Sequence, residues 1–292
     1  MAELLKGKEA AAAIRARTQA AVQELKQHGI TPQLAILRVG ENESDISYEK
    51  GASKRCADAG IEVKYVTLPR ETEQEEFDGI LQSLNEDESV HGILMFRPLP
   101  KRLDSEKARK MIAFEKDIDG CTDASLTGIF INKPQGFAPC TAQAAIEILD
   151  YYGIEIKGKN IVVVGRSLVV GKPLAMMLLN RNATVTICHT RTVDLPSVTR
   201  KADIVIAAVG QPEMLGKEYF SEGQTVIDVG ISWNEKKGKL CGDVLFEEVE
   251  PIVRYITPVP GGVGSVTSTV LADHVAQAAK RQYEKNNVPA AE

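Results

Sequence analysis

Short apolar runs alternate with longer amphipathic stretches along most of this 292-residue chain. The strand-like runs lie at residues 33–39, 61–68, 90–96, 160–164, 184–188, 203–208 and 225–229. Helical patterns lie at residues 7–28, 44–59, 72–84, 141–152 and 268–284. Such alternation predicts an α/β fold with mainly parallel sheets and helices on their faces. Ligands of such sheets bind beyond the carboxyl ends of the strands.

The length of the chain predicts two lobes with a cleft between them, because a single hydrophobic core stops growing at about 250 to 300 residues. A segment rich in Gly, Asp and Pro at residues 117–140 separates the two series of elements. We therefore predict one domain at residues 1–140 and a second, Rossmann-type domain at residues 141–267. The final helix, up to residue 285, is expected to rejoin the first domain.

The charged residues argue against a polyanionic partner. The 35 Lys and Arg residues face 40 Asp and Glu residues, which gives a net charge of −5, and no basic stripe stands out. Nucleic acid is therefore not an expected partner. Residues 1–10 contain four charged side chains, and no run of about 18 apolar residues occurs, so neither a signal peptide nor a membrane span is expected. These features predict a cytoplasmic protein.

The cysteines and histidines show no pattern of a disulfide framework or a metal site. The five cysteines and four histidines are dispersed along the chain, and no Cys-x-x-Cys pair occurs. We therefore expect no metal and no structural disulfide.

One strand runs directly into a glycine turn and a helical pattern. The apolar run 161–164 is followed by Gly165-Arg166-Ser167, and Gly171 comes just before the helix. A dinucleotide pyrophosphate binds at such a place, because backbone N–H groups and the helix N-terminus face the phosphates. The spacing departs from G-x-G-x-x-G, with Ser167 at the second glycine position, so by spacing alone an ordinary βα turn remains an alternative.

The end of the next strand favours NADP over NAD. In a Rossmann unit that binds NAD, an acidic residue at this place accepts the ribose 2′-OH. Here the strand 184–188 ends in His189-Thr190-Arg191, without a carboxylate. Arg191, with Arg166 on the first turn, suits a 2′-phosphate, although Arg191 can also be an ordinary surface charge. His189 is interpreted as a structural residue.

Longer motifs occur in order over nearly the whole chain. They are Val39-Gly40 with Ser44 and Tyr48 downstream, His91-Gly92-Ile93-Leu94 with Pro98-Leu99-Pro100, Lys116-Asp117-Ile118-Asp119-Gly120, Pro139-Cys140-Thr141, the turn at 165–173, Gly242-Asp243-Val244, and Thr257-Pro258-Val259-Pro260-Gly261-Gly262-Val263-Gly264. With these motifs the chain resembles the methylenetetrahydrofolate dehydrogenase/cyclohydrolase family. The resemblance implies a homodimer of one-carbon metabolism and purine biosynthesis, whose first domain binds a reduced folate and whose second binds NADP.

The resemblance also implies roles for individual residues. The residues expected to contact NADP are Gly165, Arg166, Ser167, Thr190, Arg191 and Ile231. Tyr48 and Asp119 are the expected catalytic residues and would contact the folate, with Tyr48 stacking on the pterin ring. Pro260, Gly261 and Gly262 are expected to bring their backbone close to the substrate or the nicotinamide.

Family members usually perform two reactions, hydride transfer from 5,10-methylenetetrahydrofolate to NADP and hydration of the methenyl product to 10-formyltetrahydrofolate. The family assigns the hydration to a lysine four residues after the tyrosine and to a glutamine. Here those positions hold Ala52 and Phe96. Lys50 and Lys54 would point to other sides of the helix. We therefore expect little or no cyclohydrolase activity, so that a separate cyclohydrolase is needed.

Three other interpretations stay open. The first is the ordinary bifunctional enzyme, with Arg97 or an ordered water compensating for the two losses. The second is a non-catalytic folate- or nucleotide-binding protein, against which the glycine turn argues. Without the family resemblance, a third is a two-lobed NADP dehydrogenase that acts on small acids.

Overall fold

The computed structural model describes residues 1–133, 135–235 and 237–287, which divide into two compact units. The N-terminal unit comprises Ala13–Cys140 and the described residues from Ser268 onward. The C-terminal unit comprises Met1–Ala12 and Thr141–Thr267. In chain order the elements are β1 (Glu3–Leu4), α1 (Gly7–Gln27), β2 (Gln33–Val39), α2 (Glu43–Ala59), β3 (Glu62–Leu68), α3 (Gln74–Glu86), β4 (Gly92–Met95), α4 (Ser105–Met111), α5 (Asp123–Phe130), α6 (Cys140–Tyr151), β5 (Asn160–Val164), α7 (Gly171–Asn180), β6 (Thr184–Cys188), α8 (Leu195–Thr199), β7 (Ile204–Ala207), β8 (Thr225–Asp228), β9 (Ser232–Asn234), β10 (Lys239–Cys241), α9 (Phe246–Val249), β11 (Tyr255–Ile256) and α10 (Gly264–Asn287).

The sheet of the N-terminal unit has β2 at its centre, with β3 and β4 parallel to it on either side. The middle of β2 and all of β4 are buried, as expected for parallel strands that helices cover on both faces. Phe77 and Leu81 of α3 pack with Leu37 of β2 and Ile93 of β4 in the core. The apolar runs that predicted these strands therefore supply the side chains of the core.

The C-terminal unit has a larger parallel sheet. Among its described residues, six strands follow the order β1-β11-β8-β7-β5-β6, and β9 and β10 form a separate antiparallel pair. Val162, Val205 and Val226 of three inner strands pack together with Leu215 and Val249. From β5 the chain adds β6 on one side and then β7 on the other, which is the strand order of a Rossmann-type half. The predicted α/β class is confirmed.

The first residues of the chain correct the predicted domain composition. The sequence pattern assigns residues 1–140 to one domain, but residues 1–12 belong to the C-terminal unit. The physical reason is backbone pairing, because β1 is parallel to β11 and pairs Leu4 with Ile256. The strands β1 and β11 are two residues long, too short to give a periodic signal, and neither was predicted.

Helix α2 is anchored at both ends and in its middle. The Asn42 side chain accepts a hydrogen bond from the Ser44 N–H at 2.9 Å and caps the N-terminus. Gly60 ends the helix with φ +81°, a left-handed conformation that favours glycine. Between them, the buried Arg38 of β2 forms an ion pair of 3.1 Å with Glu49. These contacts fix the face of α2 that carries Tyr48.

The homodimer implied by the family resemblance stays a prediction. Among the described residues, β3 pairs with β2 on one side only, so its other edge is open. Tyr65 on this strand is 56% exposed. An open edge with an exposed aromatic residue is a surface on which a second copy can pair.

Among the described helices, none is both long and apolar enough to cross a membrane.

The pairing of β1 makes a prediction about stability. Leu5, next to β1, is fully buried, so Leu5→Ala is expected to lower the free energy of unfolding by about 3 kcal/mol through lost burial and a residual cavity. Leu240→Ala is the control, because Leu240 is 40% exposed and its truncation should cost less than about 1 kcal/mol. Urea unfolding followed by circular dichroism measures both. Equal losses in the two variants would contradict the packing of residues 1–12.

Candidate functional site

The strand orders create a crevice at the carboxyl edge of each sheet. In the C-terminal unit the loops after β5 and β7 leave neighbouring strands in opposite directions, because the order reverses there. In the N-terminal unit the same holds for the loops after β2 and β4. Such reversal points are the usual ligand sites of open parallel sheets. The predicted site residues can therefore be placed relative to these two edges.

The turn after β5 admits no side chains at its glycines. Gly165 has φ +132°, and a Cβ placed on it would collide with the carbonyl oxygen of Ala208. A Cβ on Gly171 would collide with the carbonyl oxygen of Gly165. Ser167 holds the loop in front of α7, because its Oγ accepts from the Val170 N–H at 3.1 Å. The backbone therefore passes closely into the N-terminus of α7, and the first turn of this helix contains no acidic residue. Such a place suits a pyrophosphate.

The turn after β6 is held by its own side chains. The His189 N–H donates to Thr192 Oγ1 at 2.9 Å, and His189 Nδ1 accepts from the Arg191 N–H at 3.1 Å. These hydrogen bonds give His189 the structural role that its position in the sequence predicts. Thr190 and Arg191 remain exposed.

The two arginines of the predicted phosphate site follow neighbouring strands. Val164 at the end of β5 pairs in register with Cys188 at the end of β6. Arg166 and Arg191 therefore begin from the same level of the sheet edge, and both are exposed. An exposed pair of guanidinium groups beside the pyrophosphate turn suits a further phosphate.

A buried carboxylate fixes the loop on the other side of this crevice. Both Asp243 oxygens accept hydrogen bonds from the backbone N–H groups of 209–211, at 2.5 to 3.0 Å. Asp228, at the end of β8, accepts from Gly230, Asp243 and Val244. Burial raises the pKa of Asp228 to about 7, and these backbone donors oppose the shift. The loop after β7 is thus held rigidly opposite the glycine turn.

The glycine-rich segment after β11 also lies in the C-terminal unit. Gly261 has φ +104°, and its carbonyl accepts from the Gly7 N–H at 2.8 Å. A Cβ on Gly262 would lie 2.5 Å from the carbonyl oxygen of Pro258. Pro260 and Gly261 are exposed, as is Ile231, which is 56% exposed. These residues are available to a ligand of this unit, and the predicted contacts stay predictions.

In the N-terminal unit, Tyr48 and Phe96 form an aromatic pair. Their ring centroids lie 5.9 Å apart at an interplanar angle of 86°. Phe96 follows β4 and is 9% exposed, whereas Tyr48 on α2 keeps 38% of its surface exposed. Ala52, one helical turn after Tyr48, is fully buried. The two positions where the family has a lysine and a glutamine therefore hold buried apolar side chains.

Asp119 lies near this aromatic pair and faces an arginine. Its Oδ2 is 3.6 Å from Nη2 of Arg97, and both side chains are about one-third exposed, at 31% and 29%. Desolvation raises the pKa of Asp119 to about 6, while the positive charge of Arg97 opposes the shift. Desolvation also raises the pKa of Tyr48, with Cys140 and Asp119 adding to it. Near neutral pH the site thus holds a phenol beside a mostly ionised carboxylate.

The backbone in front of Asp119 receives two side-chain donors. The Ile118 carbonyl lies 2.8 Å from His274 Nδ1 and 3.2 Å from Cys140 Sγ. Because a carbonyl only accepts, His274 must carry its proton on Nδ1, and the Cys140 thiol must donate. Cys140 is 1% exposed, and burial raises the pKa of its thiol well above the usual range. Cys140 is thus a small buried residue that also holds the Asp119 loop.

The rest of the motif around Asp119 is structural. Asp117 is fully buried and accepts from the N–H groups of Cys121 and Thr122 and from the Ser125 hydroxyl, at 2.6 to 3.0 Å. Gly120 has φ +66°, and a Cβ there would lie 2.5 Å from Pro139 N. Asp119 is therefore held in a loop with little freedom to move.

The predicted site residues fall into two groups, one in each unit. Tyr48 and Asp119 share the N-terminal unit, and Gly165, Ser167 and Arg191 share the turns of the C-terminal unit. The residues that sequence reasoning did not assign a role in the site are Asp117, Asp243 and His274. Motif membership could have drawn attention to Asp117 and Asp243, but His274 lies on a long helix with no local signal.

Models of known families match both parts of the chain. The model of the tetrahydrofolate dehydrogenase/cyclohydrolase catalytic domain matches residues 5–119. The model of the NAD(P)-binding domain of the same family matches residues 139–283.

Individual relatives are similar over almost their full length. The bifunctional protein FolD of Carboxydothermus hydrogenoformans is 50% identical over 279 residues, which cover 95% of this chain and 97% of that protein. The bifunctional FolD structure from Campylobacter jejuni has a TM-score of 0.93 at 39% identity and covers 96% of this chain and 99% of its own. The Trypanosoma brucei FolD structure, complexed with NADP cofactor and inhibitor, has a TM-score of 0.89 at 34% identity, with coverages of 97% and 98%.

The glycine turn makes a prediction about nucleotide binding. Gly165→Ala is expected to destabilise the protein by about 1 to 3 kcal/mol and to weaken NADPH binding, because the new methyl group forces the loop away from Ala208. Gly79→Ala is the matched control, since a Cβ there meets nothing within 4 Å and the residue lies within α3. Nicotinamide fluorescence measures affinity, and thermal unfolding measures stability. Equal NADPH affinity in the two variants would refute the close-approach argument.

Proposed function

This chain belongs to the tetrahydrofolate dehydrogenase/cyclohydrolase family, and we propose that it oxidises 5,10-methylenetetrahydrofolate to the methenyl form with NADP and hydrates the product slowly or not at all. The observation that carries the first half is the glycine turn at Gly165 in a chain that matches both family domains. The observation that carries the second half is the pair of buried apolar side chains, Ala52 and Phe96, at the two family positions.

The residues of the C-terminal unit fit NADP. The passage of Gly165 past Ala208 leaves no room for a Cβ, which favours close approach of a pyrophosphate to backbone N–H groups. The exposed Arg166 and Arg191, without a carboxylate at the end of β6, suit the 2′-phosphate. When bound, NADP accepts a hydride from the methylene carbon of the folate.

The residues of the N-terminal unit fit the folate. Tyr48 offers an exposed aromatic ring for stacking on the pterin. Asp119 is mostly ionised at neutral pH, so it can accept hydrogen bonds from the pterin and stabilise positive charge that develops as the hydride leaves. Hydride transfer requires alignment more than a side-chain base, so these residues suffice for it.

Hydration of the methenyl carbon requires a group that can accept and return a proton near neutral pH. The side chains of Ala52 and Phe96 cannot do this. Burial raises the pKa values of the Tyr48 phenol and the Cys140 thiol, so both stay protonated. The guanidinium of Arg97 stays charged in proteins. These properties support slow or absent hydration.

The ordinary bifunctional enzyme is the second candidate, and two observations favour it. Relatives at 50% identity are named bifunctional. In addition, Asp119 has a pKa of about 6 and is therefore able to exchange a proton near neutral pH. A non-catalytic binding protein is less favoured, because the glycine turn and the folate residues are both retained.

The two candidates predict different rates of methenyltetrahydrofolate decay. We expect the purified protein to accelerate the decay by less than about twofold over buffer while it reduces NADP with methylenetetrahydrofolate. The loss of methenyl absorbance and the gain of NADPH absorbance, measured on one preparation, test this. Clear acceleration of the decay would establish the bifunctional alternative.

Restoration of the two family residues provides the matched variants. Ala52→Lys alone should restore little hydration, because Phe96 offers the buried amine no polar partner, whereas Ala52→Lys/Phe96→Gln should restore more. Ala57→Lys, at an exposed position of the same helix, controls for the added charge. Equal activity of the two restored variants would show that position 96 is not involved.

The arginine after β6 makes a prediction about cofactor choice. Arg191→Ser should raise the KM for NADP by about ten- to a hundredfold and leave the KM for NAD nearly unchanged, because a charged hydrogen bond to the 2′-phosphate is lost. Arg200→Ser removes an exposed charge before β7, at the opposite edge of the sheet, and should change neither value. Equal effects on the two cofactors would contradict the phosphate role of Arg191.

A further inference from the structure

Arg97 places a cation where the carboxyl edge of the N-terminal sheet is open. It follows Phe96 directly after β4, and its Nη2 lies 3.6 Å from Asp119 Oδ2. A direct charged hydrogen bond would be about 2.7 to 2.9 Å long. The two charged groups therefore attract each other, but they do not form a direct hydrogen bond with each other.

Both members of this ion pair keep hydrogen-bonding capacity. Within the part of the chain that the structure describes, Arg97 makes no hydrogen bond, and 29% of its side chain is exposed. A guanidinium carries five N–H donors, and a carboxylate accepts up to about four hydrogen bonds. A planar ligand can therefore bind to both groups at the same time.

The chemistry of the pterin ring matches this pair. Along one edge, a 2-amino-4-oxopteridine presents two N–H donors, from the 2-amino group and N3, followed by the O4 acceptor. We propose that Asp119 accepts from the two donors while Arg97 donates to O4, so that Arg97 determines specificity for the 4-oxo form of the ring. This inference rests on the proposed folate substrate.

The surroundings favour a ring in this position. Tyr48, which packs edge-on against Phe96, is the exposed member of the aromatic pair and offers a stacking surface. The charge of Arg97 opposes the desolvation of Asp119 and so keeps the carboxylate in the accepting, ionised form. The loop of Asp119 is fixed through the Ile118 carbonyl, which receives donors from His274 and Cys140. A specificity contact requires this kind of fixed partner.

The test compares two ligands that differ at one ring position. Folic acid has the 4-oxo group and an N–H at N3. Aminopterin has a 4-amino group, which presents donors to the guanidinium, and no N–H at N3, so Asp119 also loses one donor. Direct binding by calorimetry at about pH 8 does not depend on turnover. We expect the wild-type protein to prefer folic acid by about tenfold or more. Arg97→Met should reduce this preference by at least about threefold, and the part that comes from the N3 contact of Asp119 should remain.

Kinetics with methylenetetrahydrofolate provide a second readout. Arg97→Met should raise the KM for the folate about tenfold and lower kcat by a smaller factor, because a binding contact is lost and Asp119 loses the cation that favours its ionised form. Arg97→Lys keeps the charge without the planar fork and should retain part of the preference. Arg102→Met is the control, since Arg102 forms an exposed surface pair with Glu73 and should change nothing.

The outcomes separate this inference from the proposed function. A preference for folic acid that is as large in Arg97→Met as in the wild-type protein would overturn the role of Arg97, and so would tighter folate binding by that variant. A wild-type protein that prefers folic acid through Arg97 but does not reduce NADP with methylenetetrahydrofolate would support the inference and refute the proposed function. Circular dichroism of each variant establishes that it is folded.

Discussion

The reversal of strand order in each parallel sheet is the constraint on which the rest of the structure depends. A parallel sheet must be covered by helices on both faces, so its only open places are the edges where strands end. Where the chain returns across its first strand, two loops diverge and leave a crevice. In the C-terminal unit this crevice lies between the turn at Gly165 and the loop at 209–211. In the N-terminal unit it lies between the loop that begins at Gly40 and Phe96-Arg97.

Loops at such an edge lack the regular backbone hydrogen bonds that strands form with each other. Two buried carboxylates hold these loops in place instead. Asp243 accepts from three backbone N–H groups of the 209–211 loop, and Asp117 accepts from two backbone N–H groups and one hydroxyl near the start of α5. A buried N–H group without a partner costs about 1 to 3 kcal/mol, so each carboxylate stabilises one loop conformation over the alternatives. The fixed loops then present Gly165 and Asp119 in defined positions.

The sequence predicts the parts of the fold that depend on local patterns. The strands β2, β5 and β6 were predicted with their exact bounds, because each is a short run rich in apolar or β-branched residues between helical patterns. The two-residue strand β1 was missed, and with it the assignment of residues 1–12, since its pairing with β11 joins residues about 250 positions apart. The glycine turn was predicted from the order of an apolar strand, a glycine and a helix start. The ion pair of Arg97 with Asp119 was not, because it depends on how a strand end and a distant loop are placed.

The departures at Ala52 and Phe96 and the neighbouring cation of Arg97 can be understood together under the proposed function. Hydride transfer gains from a dry site, because water is excluded from the developing cation, whereas hydration needs water and a proton carrier beside the same carbon. Replacing a lysine and a glutamine by apolar side chains removes the proton carrier and dries the surface next to Tyr48. It also removes a cationic donor from the site, and Arg97 supplies one on the side of Asp119 instead. A guanidinium keeps its proton, so under the proposed function Arg97 would recognise the ring without supporting hydration.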